Sequence, residues 1–570
     1  MLADGPLMII AGPGTGKTRT LAHRIIYQLA ERGAAPGSCL AITFTRRAAR
    51  EMRERLAALA PRQAGRITVT TFHGLGLMIL RDHYERAGLT GGFQIADDAA
   101  RLEIAAQLAG SQRDGRRLLA DAAADPAQRE LLAAALLARD LVDFDGLVER
   151  PAALLHADPA LAGRLRDRWP LISVDEYQDI DAAQYNLLRL LAGDGRGLTA
   201  IGDPDQAIYG FRGADVGFFL RFAADFGGTT TRQLTRSYRA SRAIVTAAVQ
   251  AIAPATLVPD RRLEAVHPSG APVTFHQAAD EHAEAAWIAA AIDRLLGGSS
   301  FHSLDSGRSD GSGQDGIDLS DIAVLYRTDA QAGPLGQALA RAGLPFQKSS
   351  HDLLERRTGV AEIVRELRLA SAGPDGRPEA GGAGQSGQPV AARLRAAVRR
   401  LAATGLGGGV TTRASGGWAI DVRSAGQLLL PLARRCGSDL DQFRAEIALG
   451  AEADALDPRA DAITLLTLHA AKGLEFGTVF LAGCESGLLP LRIPGAAPGR
   501  HLAEERRLLF VGMTRARARL FLTCAARRTR HAAAAAAGPS PFLTAIDPAL
   551  LDRLIPPRSA RPAGQQLRLL

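Results

Sequence analysis

Lysine is almost missing from these 570 residues. Lys17, Lys348 and Lys472 are the whole complement, and the other 65 of the 68 basic side chains are arginine. The four cysteines, Cys39, Cys436, Cys484 and Cys524, stand far apart and none forms a CxxC pair. That spacing suggests neither a zinc site nor a disulfide framework, and it fits a reducing compartment. No apolar run reaches the roughly 18 residues of a membrane span. The N-terminus has no basic n-region and no small-residue cleavage site, so the expected location is the cytoplasm, with no membrane partner.

Present instead is the balance of a globular protein, 47% apolar and 22% charged. At roughly 100–200 residues per domain, the length implies several domains, each with its own core. The net charge of +8 suits a polyanionic partner, and it equally suits drift in an arginine-rich proteome. Lysine was kept at Lys17 and Lys472, both inside motifs described below. A compact ammonium persists where a pocket fits a point charge and not a planar fork.

Apolar runs at Leu7–Ala11, Cys39–Thr43, Ile67–Thr71, Leu171–Asp175 and Leu198–Gly202 read as short buried strands. Helical stretches at Thr18–Arg32, Ala48–Ala60 and Ala182–Ala192 separate them. This alternation predicts an α/β fold with a parallel sheet covered on both faces. Residues 81–169 read as a helical insertion with no clear strand. A second α/β pattern starts at about 228, with candidate strands Thr230–Leu234, Val273–His276, Ile322–Tyr326, Ile463–Leu468, Val479–Ala482 and Leu520–Thr523. The expected division is 1–80 with 170–227, 228–369 with 455–548, a second insertion over 370–454, and a disordered tail over 549–570. Gly297–Gly316 and Gly373–Pro389 read as low-complexity surface loops.

The segment Ala11-Gly12-Pro13-Gly14-Thr15-Gly16-Lys17-Thr18 matches a P-loop, with Ala11 in place of the first glycine. It follows a predicted strand and opens a predicted helix, the context that gives the motif its meaning. Backbone N–H groups and the helix N-terminus would cradle phosphates. Lys17 would reach the β- and γ-phosphates, and Thr18 would bind Mg²⁺. The strand ending Asp175-Glu176 supplies adjacent acids: Asp175 to coordinate Mg²⁺, Glu176 to orient and deprotonate the attacking water. The plain alternative is an acidic helix start.

With these residues in place, Asp175-Glu176-Tyr177-Gln178-Asp179 resembles the signature of UvrD/Rep-type superfamily 1 helicases. Further matches follow in that family's order: Thr43–Ala49, Thr70–His73, Gly202–Asp215, Ser237-Tyr238-Arg239, His469–Phe476 and Glu505–Arg517. The resemblance implies two RecA-like P-loop domains with parallel sheets, each interrupted by a mainly helical insertion. It implies an ATP-dependent DNA helicase using ATP and Mg²⁺, moving 3′ to 5′ on single-stranded DNA and opening duplex DNA in repair, recombination or replication, as a monomer or a DNA-induced dimer. By the same resemblance Gln206 would sense the γ-phosphate, Arg239 and Arg515 would act as arginine fingers, Tyr238 would stack on adenine, Glu475 would contact the ribose, and Arg19 would approach base or ribose.

For DNA, the loop aromatics Phe44, Phe72, Tyr209 and Phe211 stand outside core spacing and beside polar or basic partners. Aromatic faces with nearby charge make a sequence-tolerant single-strand track. Thr45, Arg46, Thr71, His73, His469 and Lys472 complete the expected DNA-binding set, with His73 and His469 open to a scaffolding reading instead. Arg46, Ile180 and Ser237 depart from the Asn, Thr and Asn usual in the family. The upstream glutamine that reads adenine has no room before residue 11, which leaves either a different start or weaker adenine selectivity. Both insertions are shorter than usual, so a translocase with weak unwinding is one alternative. A helicase–nuclease motor subunit is another, although only about fifty residues follow Arg517. A non-hydrolysing DNA-binding module is a third, opposed by the intact Lys17, Asp175, Glu176, Gln206, Arg239 and Arg515. The terminal Gln565–Leu570 resembles peptides that dock on a bacterial sliding clamp.

Overall fold

The computed structural model describes residues 5–122, 125–267, 270–297, 317–349, 354, 357–369, 388–404, 415–449, 460–491, 498–530 and 533–554. By contact, the chain falls into two compact units. One comprises Met1–Gly12, Gly16–Leu234 and Ser350–Pro458, the other Pro13–Thr15, Thr235–Ser349 and Arg459–Leu570.

The first unit is built on six parallel strands: β1 (Leu7–Ala11), β2 (Cys39–Thr43), β3 (Thr68–Thr71), β4 (Leu171–Val174), β5 (Leu198–Gly202) and β6 (Thr230–Leu234). Their order across the sheet is β3-β2-β4-β5-β1-β6. Side chains alternate across a strand, and here both faces are covered. Met8, Leu40 and Ile42 enter one core with Phe72, Leu187 and Phe222. Leu7, Ile9 and Ala41 enter another with Leu21, Ile25 and Met52. That double burial is why these strands read as unbroken apolar runs.

Strand β6 corrects the sequence reading, which placed Thr230–Leu234 at the start of the second sheet. It pairs with β1, Leu7 opposite Thr230 and Ala11 opposite Leu234. As an edge strand it carries the polar sequence TTRQL, which says nothing about which sheet it joins. The insertion after β3 is helical, as expected, but it also holds a short parallel pair, Gln94–Ile95 with Leu141–Val142. Leu354, Val360, Ile363 and Leu367 share one core with Leu394, Val422, Leu429, Phe443 and Ile447. The second insertion therefore begins before residue 370.

The second unit carries seven parallel strands: β7 (Val273–Ala278), β8 (Ile322–Tyr326), β9 (Phe346–Ser349), β10 (Ile463–Thr467), β11 (Phe476–Leu481), β12 (Ala516–Ala525) and β13 (Leu551–Leu554). The order is β9-β10-β8-β11-β12-β7-β13. Ile322, Val324, Tyr326, Leu465 and Phe480 form its core with Ile288 and Leu339. Strand β13 corrects the expectation of disorder from residue 549, because Leu551 to Leu554 pair with Val273 to His276. The expected loops over 297–316 and 373–389 and the clamp-like peptide 565–570 fall largely or wholly outside the described residues. No helix among the described residues is long and apolar enough to cross a membrane.

Candidate functional site

The loop after β1 turns tightly enough to need φ of 72° at Gly14 and 82° at Gly16, a region open to glycine at little cost. Gly16 is the N-cap of the helix Lys17–Ala30, so Lys17 and Thr18 stand in its first turn. From Ala11 through Gly12, Pro13, Gly14 and Thr15 to Thr18, the segment has the strand–turn–helix form that suits phosphate. Arg19, next along, is exposed.

Strand β4 ends at Val174 and delivers Asp175 and Glu176 beside that helix start. Thr18 Oγ1 donates to Asp175 Oδ2 at 3.0 Å, and Lys17 Nζ lies 3.7 Å from Glu176 Oε1. Burial and the neighbouring Glu176 carboxylate push the Asp175 carboxyl up to about 6, against the pull of Lys17 and Thr18. A buried carboxyl so displaced is short of positive charge. With a hydroxyl and a carboxylate in contact, the donor set suits a hard cation that takes oxygen ligands, such as Mg²⁺. Glu176 sits at φ 51°, a left-handed conformation that is uncommon for a residue with a side chain and turns it out of the strand line.

A hydrogen-bonded chain continues from Glu176. Gln178 Nε2 donates to Glu176 Oε2 at 2.5 Å, and Gln178 Oε1 accepts the Asp203 backbone N–H at 3.0 Å. Asp203 Oδ2 accepts from Gln206 Nε2 at 2.7 Å. Asp203 follows β5, so two neighbouring strand ends are tied together, and Gln178, Asp203 and Gln206 are all buried. The sequence reading singled out Gln206 but passed over Gln178 and Asp203. Their signal was present in the glutamine and acid that follow each strand.

In the second unit, Tyr238 is 57% exposed. Arg239 Nε donates to Glu475 Oε2 at 2.7 Å, and Arg517 Nη1 lies 3.8 Å from Glu475 Oε1. The expected ribose acid thus holds the expected finger, and Arg517 is a partner the sequence reading did not assign. Arg515 is 2% exposed, with its guanidinium donating to the carbonyls of Val511 at 2.8 Å and Leu474 at 3.2 Å and to Thr514 Oγ1 at 3.1 Å. His469 and Lys472 lie in the turn after β10, which Thr467 Oγ1 steadies by accepting the Ala470 N–H at 3.2 Å.

The expected DNA track divides. Phe44 stacks on Tyr209 with ring centroids 5.1 Å apart and planes 11° from parallel. Tyr209 is buried, while Phe211 is 63% exposed with the Arg212 guanidinium over its ring. Phe72 is a correction: it is buried in the core beneath the sheet, because position one of its helix faces inward. The hydroxyls of Thr45 and Thr71 are helix caps, accepting the N–H groups of Ala48 and Gly74, each at 3.1 Å. Such a cap stabilises a helix by about 1 kcal/mol. His73 stacks on Phe144 of the first insertion at 3.7 Å, and burial with the nearby Arg46 guanidinium holds its imidazole down at about 4. Arg46 itself forms an ion pair with Glu446.

The chain resembles known proteins along nearly its whole length. The UvrD/REP helicase N-terminal domain matches residues 1–128 and 119–227. The UvrD-like helicase C-terminal domain matches residues 233–374 and 431–527. An ATP-dependent DNA helicase UvrD2 of Mycobacterium tuberculosis is 33% identical, over 99% of this chain and 83% of that protein. An ATP-dependent DNA helicase PcrA of Leuconostoc citreum is 31% identical over 96% of this chain and 84% of that protein. PcrA of Bacillus subtilis is 30% identical over 97% and 85%.

Proposed function

This chain belongs to the UvrD/Rep family of ATP-dependent DNA helicases, and from that membership we propose that it translocates 3′ to 5′ along single-stranded DNA and separates duplex DNA ahead of it. The observation that carries the ATP-driven part is the contact of Thr18 with Asp175 at 3.0 Å beside Lys17 and Glu176, four side chains brought together from a glycine turn and a strand end. In this reading Thr18 and Asp175 hold Mg²⁺, which supplies charge neutralisation on the phosphates. Lys17 binds the β- and γ-phosphates. Glu176, held by Gln178, takes the proton of the attacking water, and Gln206 senses the γ-phosphate. Arg239 and Arg515 are the arginine fingers, and Tyr238, Glu475 and Arg19 position the nucleoside.

The exposed Phe211 ring supports a stacking contact with bases, with Phe44 and Tyr209 behind it. Thr45, Arg46, Thr71, His469 and Lys472 are assigned to the strand's backbone, and His73 to holding its loop. The natural setting of such a motor is repair, recombination or replication in the bacterial cytoplasm. Strand displacement on duplexes with 3′ or 5′ tails, with ATP hydrolysis followed alongside, tests the reading. Unwinding of 3′-tailed substrates is expected, and preference for 5′ tails overturns the polarity.

A further inference from the structure

In the second unit β8 lies between β10 and β11, and the three parallel strands deliver their loops at one edge of the sheet. The turn after β10 carries His469 and Lys472. The Leu468 N–H donates to the Tyr326 carbonyl at 2.8 Å, so His469 and Arg327 are the next residues along two segments already joined. The loop after β11 starts at Ala482, whose carbonyl accepts from Gln331 Nε2 at 3.2 Å, while Gln331 Oε1 accepts the Arg327 N–H at 3.0 Å. At Leu491 the same loop is tied to helix Pro498–Met513. Glu505 Oε2 accepts the Leu491 N–H at 2.9 Å, and His501 Nε2 donates to the Leu491 carbonyl at 2.7 Å.

Arg327 closes this ring of contacts. Its Nε donates to both Glu505 oxygens at 3.1 and 3.2 Å, and its Nη2 to Oε1 at 2.7 Å. The two side chains are 13% and 4% exposed. A buried ion pair often stabilises no more than apolar groups of the same size, because both charges lose their hydration. What a forked, charge-assisted contact adds is a fixed geometry. Here it fixes one end of a helix. About 12 Å of that helix runs from Glu505 to Met513. The next residues are Thr514, whose carbonyl accepts from Arg239 Nη1 at 3.4 Å, and Arg515 itself. One element thus joins the strand ends beside His469 and Lys472 to both expected fingers. We propose that Glu505 and Arg327 are positioning residues that couple the DNA turn to Arg239 and Arg515, and so set how strongly DNA stimulates ATP hydrolysis. This rests on the proposed assignment of those arginines to ATP and of His469 and Lys472 to DNA. Packed side chains and hydrogen-bond networks of this kind carry coupling between distant sites.

The test is the stimulation factor of the full chain, kcat for ATP at saturating oligonucleotide divided by kcat without DNA. Glu505→Gln keeps an acceptor for the Leu491 N–H and removes the charge facing the fork. Its factor should fall about tenfold or more, with KM for ATP and Kd for the oligonucleotide within about threefold of wild type. Arg327→Gln should match it, and the double variant should lose no more than either single, because the two side chains act as one unit. Arg327→Lys keeps the ion pair without the fork, and it carries the test if the neutral variants do not fold. Its factor should fall about threefold or more. A purely structural pair would lower the thermal unfolding midpoint and leave the factor at its wild-type value. That result in Glu505→Gln or Arg327→Lys, losses that add in the double variant, or a loss carried by KM or Kd in place of kcat, overturns the proposal. Two controls test the assignments beneath it. Wild-type turnover in Arg515→Ala, or wild-type DNA affinity in Lys472→Ala, strikes those assignments and the proposal with them. With both controls impaired, an unchanged factor strikes the proposal alone.

Discussion

Arg46 Nη1 lies 2.9 Å from Glu446 Oε1, joining the first turn of the helix after β2 to the last helix of the second insertion. The side chain expected on the DNA backbone is thus held by a carboxylate of its own chain. Releasing it should strengthen electrostatic binding. Glu446→Ala is predicted to raise affinity for single-stranded DNA about two- to fivefold at low salt and to steepen the salt dependence. Arg46→Ala should remove the gain. Fluorescence anisotropy with a short oligonucleotide across a salt series reads both, and an unchanged salt slope in Glu446→Ala would place Arg46 off the track.

Glu176→Gln should keep ATP binding and lose about 10²–10⁴ in DNA-stimulated turnover, because the water loses its base. Gln178→Ala should lower turnover with little change in KM, since it removes the group that aligns Glu176 and touches no substrate. Steady-state ATP hydrolysis separates the two effects. Wild-type turnover in Glu176→Gln would show that the acid is misassigned.

Phe211→Ala is expected to weaken single-strand binding by about 1–3 kcal/mol, the value of one stacked base. Basal ATP hydrolysis should stay near wild type, while distance travelled per ATP falls. Stopped-flow translocation on oligonucleotides of increasing length measures this. Equal rates in variant and wild type would assign the exposed ring to another role.

His73 has a stability consequence. Its imidazole stands at about 4 in the fold against a usual 6.5. Unfolding therefore takes up a proton between these values. The stability that depends on neutral His73 is complete above about pH 6.5, declines as pH falls toward 4, and declines no further below that. The full loss is on the order of 3 kcal/mol. Urea unfolding of wild type and His73→Gln from pH 7 to pH 4.5 should show curves that converge at low pH. Parallel curves would mean the ring titrates normally.

The fold was legible where burial is two-sided. Leu7–Ala11, Cys39–Thr43 and Leu198–Gly202 were readable to the residue because both faces of those strands meet a core. Edge strands were not: Phe346–Ser349 (FQKS) and Leu551–Leu554 (LDRL) carry charge and lack an apolar run, and Thr230–Leu234 was seen but given to the wrong sheet. The site divides the same way. Lys17, Thr18, Asp175 and Glu176 were legible because a turn and a strand end determine their positions locally. Phe144 under His73 and Glu446 on Arg46 were not, since only tertiary packing brings residues 71 and 400 positions apart into contact. Tyr209 and Phe72 read alike as loop aromatics, yet both are covered, and only Phe211 stands out in solvent.

The pairing of β7 with β12 and β13 bears on how the protein is made. Val273–Ala278 leaves the ribosome early, but both of its neighbours in the sheet lie beyond residue 515. During synthesis that strand must wait, with two unpaired edges and an apolar face, for more than two hundred further residues. The first sheet has no such delay, because its last strand ends at Leu234. At about 5–20 residues per second the gap lasts tens of seconds, long enough to expose the nascent second unit to chaperones while every strand of the first sheet has already been made.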